Sequence, residues 1–519
     1  MRSVLGLCLI FLANQVQGYT VLVITALPFR SLNILGASVV SHLLNAGHEV
    51  TYITTSPLKE KPKKNYREID VSANNEIFKG EEMIDIACLM DNKVEMNNIF
   101  DLQNITIANA LMTFENEDVK KLIQNTNESF DVVIADYIDT EVYAAFSALY
   151  GCPLIWLSSL RTNWQTLRLI DEPTNPAYTV SSISMNYPPL NFKQRIEELW
   201  AQWKWQIVKR LYIVSQEEKI YDNHFVPFIR KRGIKPPNYE DLIYNASLVL
   251  ANDHHSLENL PKTPQNFKQV GGFHISSVVK PLDKVLQNIM DSSKDGVVYF
   301  SMGSAWQSKD IPEHIVNELL KVFGNLKQTV IWKFEKNLND LPKNVHIVQW
   351  APQTSILAHP NCLLFISHGG LLSSTEAIHF GVPIIGIPIF YDQFVNIQKA
   401  VISGYGIQIK LNYELPKSLE KALGEMLSDK KYREKAKQLS LIFHDRPVSP
   451  GAELVHWVEH VVKTRGALHL RSPALHVPFY QKLYLDLLAA IAMTLLMIKL
   501  VIEKTLSSFY KKTLKRKED

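Results

Sequence analysis

The chain has 519 residues, 46% hydrophobic and 21% charged, a globular composition with apolar material for more than one core. A formal net charge of +3 is too small to supply the clustered basic face that a nucleic-acid partner requires. Four cysteines at wide spacings exclude a disulfide framework and a cysteine-based metal cluster.

In chain order, Arg2 precedes an apolar run over residues 4–13, and Val16, Gln17 and Gly18 follow it. This is the layout of a secretory signal over residues 1–18. Cys8 leaves with that signal, and Cys88, Cys152 and Cys362 remain as buried free thiols.

A first strand is predicted at residues 19–26 and a helix at 33–46, joined by the loop "LPFRSLNILG". Ligands of open α/β sheets meet the carboxyl ends of the strands. Yet the tip of this loop carries an apolar residue, Leu32, between Ser31 and Asn33. Further strands are predicted at 49–55, 131–136, 153–157 and 248–251. The run "FDVVIADYIDT" ends its strand at Asp136, which suits either a site acid or a helix N-cap. The run "SLVLAND" leads into His254 and His255. Between these strands, "LWAQWKWQIVKRLYIV" spaces Trp200, Trp203, Trp205, Ile207 and Leu211 along an amphipathic helix with basic residues between them. Such a helix packs on the core, walls an apolar pocket or lies on a membrane surface.

"GGFHISSVVKPL" marks a join within residues 271–296. A second series of strands is predicted at 297–302, 329–334, 346–350, 362–367 and 383–387, followed by helical patterns at 418–440 and 452–464. Strands alternating with helices make parallel sheets, so two doubly wound domains are expected, at 19–272 and 285–465. The strand at 362–367 runs into His368-Gly369-Gly370, and a helix opens with Ser373, Ser374 and Thr375. Glycines let backbone approach a ligand closely, and a helix N-terminus offers free N–H groups. This is a diphosphate cradle without the lysine of a P-loop.

Residues 483–502 hold about the 20 apolar residues that span a bilayer core, with Asp486 and Lys499 near the ends. The tail, 503–519, is basic, with Lys504, Lys511, Lys512, Lys515, Arg516 and Lys517. The positive-inside rule makes that tail cytosolic and the body lumenal. Sequons at Asn104, Asn127 and Asn245 agree with a lumenal body. The ending "KRKED" resembles an endoplasmic-reticulum retrieval signal.

Residues 344–396 carry a wider pattern: Trp-x-Pro-Gln, then His-Gly-Gly, then a glutamate, then Pro-x-x-x-Asp-Gln. Together with "AGHEVTYIT", "FSMGS" and the C-terminal anchor, it resembles the UDP-glycosyltransferase family, membrane-bound animal type, with most likeness to invertebrate members. The resemblance implies an α/β GT-B fold, two Rossmann-like domains facing a cleft, plus a C-terminal transmembrane helix. It implies inverting transfer of a hexose from a UDP-sugar to a small lipophilic phenol, alcohol or carboxylic acid, with no metal and no cofactor beyond that co-substrate. Trp350 would stack on uracil and Gln353 would bond the uracil or ribose. His368, Gly369, Gly370, Ser373 and Ser304 would line the diphosphate. Glu376 would accept from the ribose hydroxyls, and Asp392 and Gln393 would bond the sugar. No arginine precedes "VGG", where glucuronate-transferring members carry one, although Lys262 is near, and this tilts the donor toward UDP-glucose. Asp136 matches the family acid that orients a base histidine, and the position of that histidine falls on Leu32. Three readings follow: catalysis without the base, substitution by His254, His255 or Asp136 itself, or a UDP-sugar-binding or regulatory protein that partners an active relative. Other implied partners are the membrane and related or identical chains as an oligomer.

Overall fold

The computed structural model describes residues 18–78, 86–90, 99–170, 175–255, 262–303 and 308–518. The expected signal, apart from Gly18, and Ser304 lie outside these residues, as does the side chain of Cys88. The first sheet has seven strands in the order β3-β2-β1-β4-β5-β6-β7. They are β1 (Thr20–Thr25), β2 (Glu49–Thr54), β3 (Tyr66–Asp70), β4 (Val132–Asp136), β5 (Leu154–Ser158), β6 (Leu248–Ala251) and β7 (Phe267–Gln269). The second has six in the order β10-β9-β8-β11-β12-β13. These are β8 (Val297–Ser301), β9 (Thr329–Lys333), β10 (Val345–Val348), β11 (Cys362–Ser367), β12 (Ile384–Gly386) and β13 (Gly406–Gln408). Every strand pair in both sheets is parallel.

Parallel sheets are covered on both faces, so their central strands read as unbroken apolar runs. β4, β5 and β8 are buried at every residue. The three strands that the sequence pattern missed, β3, β7 and β13, all lie at sheet edges, where "YREID", "FKQ" and "GIQ" carry polar residues.

The helices that bear on the site are α1 (Arg30–Asn45), α2 (Phe192–Val208), α3 (Gln353–Ala358), α4 (Leu371–Phe380), α5 (Gln393–Ile402), α6 (Lys431–His444), α7 (Pro450–Lys463) and α8 (Leu485–Glu518). The helix expected over 418–440 is two, Leu415–Ser428 and α6, because Asp429 takes an extended conformation and accepts from the Lys431 N–H. Expectation and structure also differ over the last helix of the second domain. α7 crosses back, and Leu454, Val458 and Val461 pack among Val39, Val40 and Leu43 of the first domain. That spacing of four and three puts one apolar face on α1.

On α2, only Trp205 of the five spaced apolar residues is buried, edge-on to Trp164 at 5.1 Å. α2 packs on the core through Trp205 and Val208, while Trp200, Trp203, Ile207 and, past its end, Leu211 are exposed. α8 contains Leu485–Lys512, long and apolar enough to cross a membrane, with none of its apolar window buried. It begins two residues later than expected and continues helical through the basic tail. Asn104, Asn127 and Asn245 are all exposed. Cys152 and Cys362 are free thiols, both pushed up to about 12 by burial.

Candidate functional site

β11 delivers His368 to the turn that opens α4. Gly369 there has φ +87°, and a Cβ would lie 2.3 Å from Ile397 Cγ1, so both conformation and space demand glycine. The His368 ring packs between two other glycines. A Cβ at Gly370 would fall 2.6 Å from its Nε2, and one at Gly303 would fall 2.4 Å from its Cε1. Burial first, then the charge of Lys333, pushes His368 down to about 4, so the ring is neutral near pH 7. Its Nδ1 is buried with no hydrogen-bond partner among the described residues. Gly370 occupies the N-cap of α4 without a side-chain cap, which leaves the first-turn N–H groups open to an anion. Lys333 Nζ ties this region together, donating to Gly303 O at 2.8 Å and to Glu335 Oε1 at 2.7 Å.

The first turns of α3 and α4 meet beside the cradle. Gln353 Nε2 donates to Ser373 Oγ at 3.0 Å and to Glu376 Oε2 at 2.7 Å, and Tyr299 donates its hydroxyl to Gln353 Oε1 at 3.4 Å. Gln353 thus bridges two other residues singled out in the sequence, Ser373 and Glu376. A fourth group joins from the chain between the two sheets. His274 Nε2 lies 3.6 Å from Glu376 Oε1, with both ring nitrogens buried.

Asp392 stands at the N-cap of α5 yet makes no capping bond. Its Oδ2 accepts from Asn396 Nδ2 at 2.7 Å, and burial pushes its carboxyl up to about 6. Asn396 Nδ2 also reaches Gly369 O at 2.9 Å, and its Oδ1 accepts from Arg161 Nε at 2.6 Å. One asparagine therefore links Asp392, the glycine turn and an arginine of the first domain. Gln393 Oε1 accepts from the N–H groups of Ile389 and Phe390, so it fixes the loop before α5, and only its amide nitrogen is left for a ligand.

Trp350 is 53% exposed. Arg30, from the first turn of α1, holds its guanidinium 3.6 Å from the centre of the Trp350 ring, and Lys333 Nζ lies 5.4 Å from it. A second link crosses the cleft where Tyr391 donates to Asp139 Oδ2 at 3.2 Å, both residues holding left-handed backbone at φ 56° and 54°.

The pairing of β1 with β4, Ile24 with Ala135, puts Asp136 level with Thr25 at the carboxyl end of the first sheet. Its Oδ1 is buried without a hydrogen-bond partner. Burial pushes the carboxyl up to about 7, against the smaller pull of Ser159. Leu32 is only 5% exposed, in the first turn of α1. The neighbouring Asn33 fixes that turn, donating to Thr55 Oγ1 at 3.0 Å and accepting from Thr54 Oγ1 at 3.0 Å. His254 packs edge-on to Phe443 of α6 at 5.2 Å, and His255 lies 3.7 Å from it, ring to ring. Burial, then Arg446 and His255, pushes His254 down to about 3. It is a neutral ring packed against α6.

Arg30, Arg161, His274, Lys333 and Asn396 were not singled out in the sequence. Only Asn396 had a local signal, four residues after Asp392 and so on the same face of α5.

The family described as UDP-glucoronosyl and UDP-glucosyl transferase matches residues 20–519. UDP-glucosyltransferase 2 of Dactylopius coccus is 32% identical over 87% of this chain and 85% of its own. UDP-glucuronosyltransferase 2A3 of Homo sapiens is 28% identical over 87% of this chain and 86% of its own. Among solved structures, the calicheamicin glycosyltransferase CalG4 superposes with TM-score 0.55 at 16% identity, covering 86% of this chain and 99% of that one, a likeness of fold.

Proposed function

Because the chain belongs to the UDP-glucuronosyl and UDP-glucosyl transferase family, and is a UDP-glycosyltransferase, we propose that it moves glucose from UDP-glucose to a small lipophilic phenol, alcohol or carboxylic acid, with inversion. The observation that carries the donor reading is the bridge that Gln353 makes to Ser373 and Glu376 in the first two turns of α4. Its polar groups are those a ribose needs, and the neutral His368 and the α4 N-terminus supply diphosphate donors without a charge to trap the product. Trp350 supplies an aromatic face for uracil, and Asp392, held by Asn396, accepts from sugar hydroxyls. Of the two lysines before Gly271-Gly272, Lys268 stacks on Trp457 at 3.7 Å and Lys262 is exposed. Neither takes the place of an arginine for a sugar carboxylate, which supports glucose.

Leu32 has no proton-accepting atom, and its turn is fixed. Asp136 then acts alone. A carboxylate with one oxygen unpartnered and a proton affinity near neutrality is matched to removing an acceptor proton as the hydroxyl attacks. Phenols and carboxylic acids, already partly ionised, need this help least. The test is UDP release from several UDP-sugars against phenols and aliphatic alcohols. Turnover of phenols above alcohols with UDP-glucose supports the reading. UDP binding without turnover of any acceptor makes the chain a binding protein instead.

We further propose the domains as 19–272 and 285–465, a cleaved signal, glycans on Asn104, Asn127 and Asn245, and a single-pass type I anchor in the endoplasmic reticulum with a cytosolic tail. A size shift on enzymatic deglycosylation, and protease protection of all but the tail in sealed microsomes, would check the topology.

A further inference from the structure

Arg161 belongs to the first domain, yet its side chain ends in the second. It lies three residues past β5 and is buried. Its Nε donates to Asn396 Oδ1 at 2.6 Å, across 235 residues of chain. A guanidinium carries donors only, so the amide of Asn396 must turn its oxygen to the arginine. Both Nδ2 hydrogens then face the other way, and two acceptors meet them, Asp392 Oδ2 at 2.7 Å and Gly369 O at 2.9 Å. Asn396 is fully buried, and these bonds use both of its hydrogens. Arg161 thus sets which way the amide points, and the amide holds the Asp392 carboxylate.

The loop that presents Arg161 is itself fixed to the join between the domains. Thr162 donates to Asp253 Oδ2 from its N–H at 2.9 Å and from its hydroxyl at 2.8 Å, and Asn163 Nδ2 bonds back to Arg161 O at 2.8 Å. Asp253 is fully buried, and its carbonyl accepts from the Gly271 N–H at 2.9 Å. A Cβ on Gly271 would lie 2.6 Å from that carbonyl oxygen, so the contact is closed to any other residue. Gly271 begins the stretch that leads into the second domain. The backbone that joins the two domains therefore also holds the arginine against α5. Burial pushes the Asp392 carboxyl up, and Asn396 and Arg161 both pull against that rise. A carboxyl so placed depends on those two partners to remain an acceptor.

We propose that Arg161 is a positioning residue for the donor sugar: its bond to Asn396 orients the amide that aims Asp392 at the sugar hydroxyls, so that the first domain completes the sugar end of a site built in the second. The inference rests on the reading of Asp392 as a sugar ligand. Arg161 acts through Asn396, and its removal is felt by the sugar and not by the nucleotide.

Glutamine carries Nε2 where arginine carries Nε. Arg161→Gln therefore keeps the donor and removes the charge, whereas Arg161→Met keeps the reach and removes both. Full-length wild type and variants are titrated calorimetrically with UDP and with UDP-glucose. Arg161→Met should weaken UDP-glucose binding about tenfold or more, the scale of one hydrogen bond to a charged group, and leave UDP binding within about twofold. Arg161→Gln should recover most of that loss. In an Asp392→Asn background, Arg161→Met should add little, because its effect passes through that carboxylate. Three results each overturn the proposal: equal loss of UDP and UDP-glucose in the methionine variant, a glutamine variant as weak as the methionine one, or an undiminished cost in the Asp392→Asn background. A wild type that binds UDP but not UDP-glucose, or neither, would overturn the donor reading itself and the proposal with it.

Discussion

The Arg30 guanidinium lies 3.6 Å from the centre of the Trp350 ring, across the cleft between the two sheets. Arg30 is two residues from Leu32, and Trp350 precedes α3, whose Gln353 holds Glu376. The turn that carries Leu32 is thus in contact with the ring proposed to stack on the nucleotide base. A cation over an exposed indole contributes about 0.5–1 kcal/mol, so uracil stacking on this ring must compete with Arg30 at that scale. Arg30→Ala is expected to tighten UDP binding by about 2- to 5-fold, the same energy expressed as a ratio. Trp350→Ala should weaken UDP binding at least about tenfold, as loss of a stacked base does. Calorimetric titration with UDP reads both, and weaker binding by the arginine variant would show that Arg30 assists the base instead.

In the proposed reaction Asp136 sets how turnover depends on pH. Its carboxyl is raised to about 7, so the basic form is scarce at pH 6 and dominant at pH 8. kcat/KM on an aliphatic alcohol is expected to rise about tenfold between those values, following one ionisation. Acidic phenols, ionised in solution, should give a flatter profile. Asp136→Asn should cost about 10²–10⁴ on alcohols, the scale of a lost general base. Leu32→His, at the start of α1, should raise alcohol turnover, because Asp136 would then orient an imidazole as in other His–Asp pairs. Unchanged turnover in the histidine variant would mean that residue 32 does not face the acceptor.

The same raised carboxyl bears on stability. A group that binds its proton more tightly when folded stabilises the fold below its folded value, and that contribution is lost as pH rises from about 4 towards 7. Asp136→Asn should therefore be more stable than the wild type at pH 8 and differ little at pH 4. Thermal melts at the two values check the sign.

The sequence pattern made the central strands and the glycine turn visible because parallel strands buried on both faces are continuously apolar, and β6 and β11 fall on the predicted residues. Edge strands were hidden, since "FKQ" at β7 has no pattern to read. Likewise Glu376 and Asp392 stood out within their motif, whereas Arg30 and Arg161 reach the donor domain only by folding, across 320 and 235 residues of chain to Trp350 and Asn396. The outward face of α2 was hidden for a related reason. Periodicity identifies an apolar face but not which way it turns, and only the partners of Glu198 and Lys209 decide that.

Gly370 and Gly369 separate two demands on the cradle. Gly370 has φ −57°, which alanine adopts freely, so Gly370→Ala strikes only the His368 ring, 2.6 Å from the new Cβ. It should raise the KM for UDP-sugar about tenfold or more, the scale of one misplaced donor at a charged oxygen, and leave the melting temperature nearly unchanged. Gly369→Ala adds a left-handed backbone costing about 1–2 kcal/mol to its clash with Ile397, so it should lower both donor binding and stability. Equal melting temperatures for the two variants would contradict this division.

Lys209 supports the floor under Asp139 and offers the largest expected loss of stability. The lysine is buried, bonded to Glu217 Oε1 at 2.9 Å, to Glu141 and to Asp139 O at 3.2 Å, while Glu141 also pairs with Arg168. Two cations balance two carboxylates. Burial lowers the Lys209 ammonium's affinity for its proton, but Glu141 and Glu217 together raise it above the ordinary value, so the lysine is charged at neutral pH. Lys209→Met leaves the buried Glu217 carboxylate without its cation, a change that costs about 3–5 kcal/mol. Glu217, left without a cation while Glu141 keeps Arg168, would then hold its proton more tightly than in the unfolded chain, so the loss should be greater at pH 8 than at pH 5.5. Lys209→Met/Glu217→Gln restores the charge balance and should recover part of the stability. Thermal unfolding of the three proteins at both pH values decides it, and a single variant as stable as the wild type at pH 8 would show that the cluster is not stabilising.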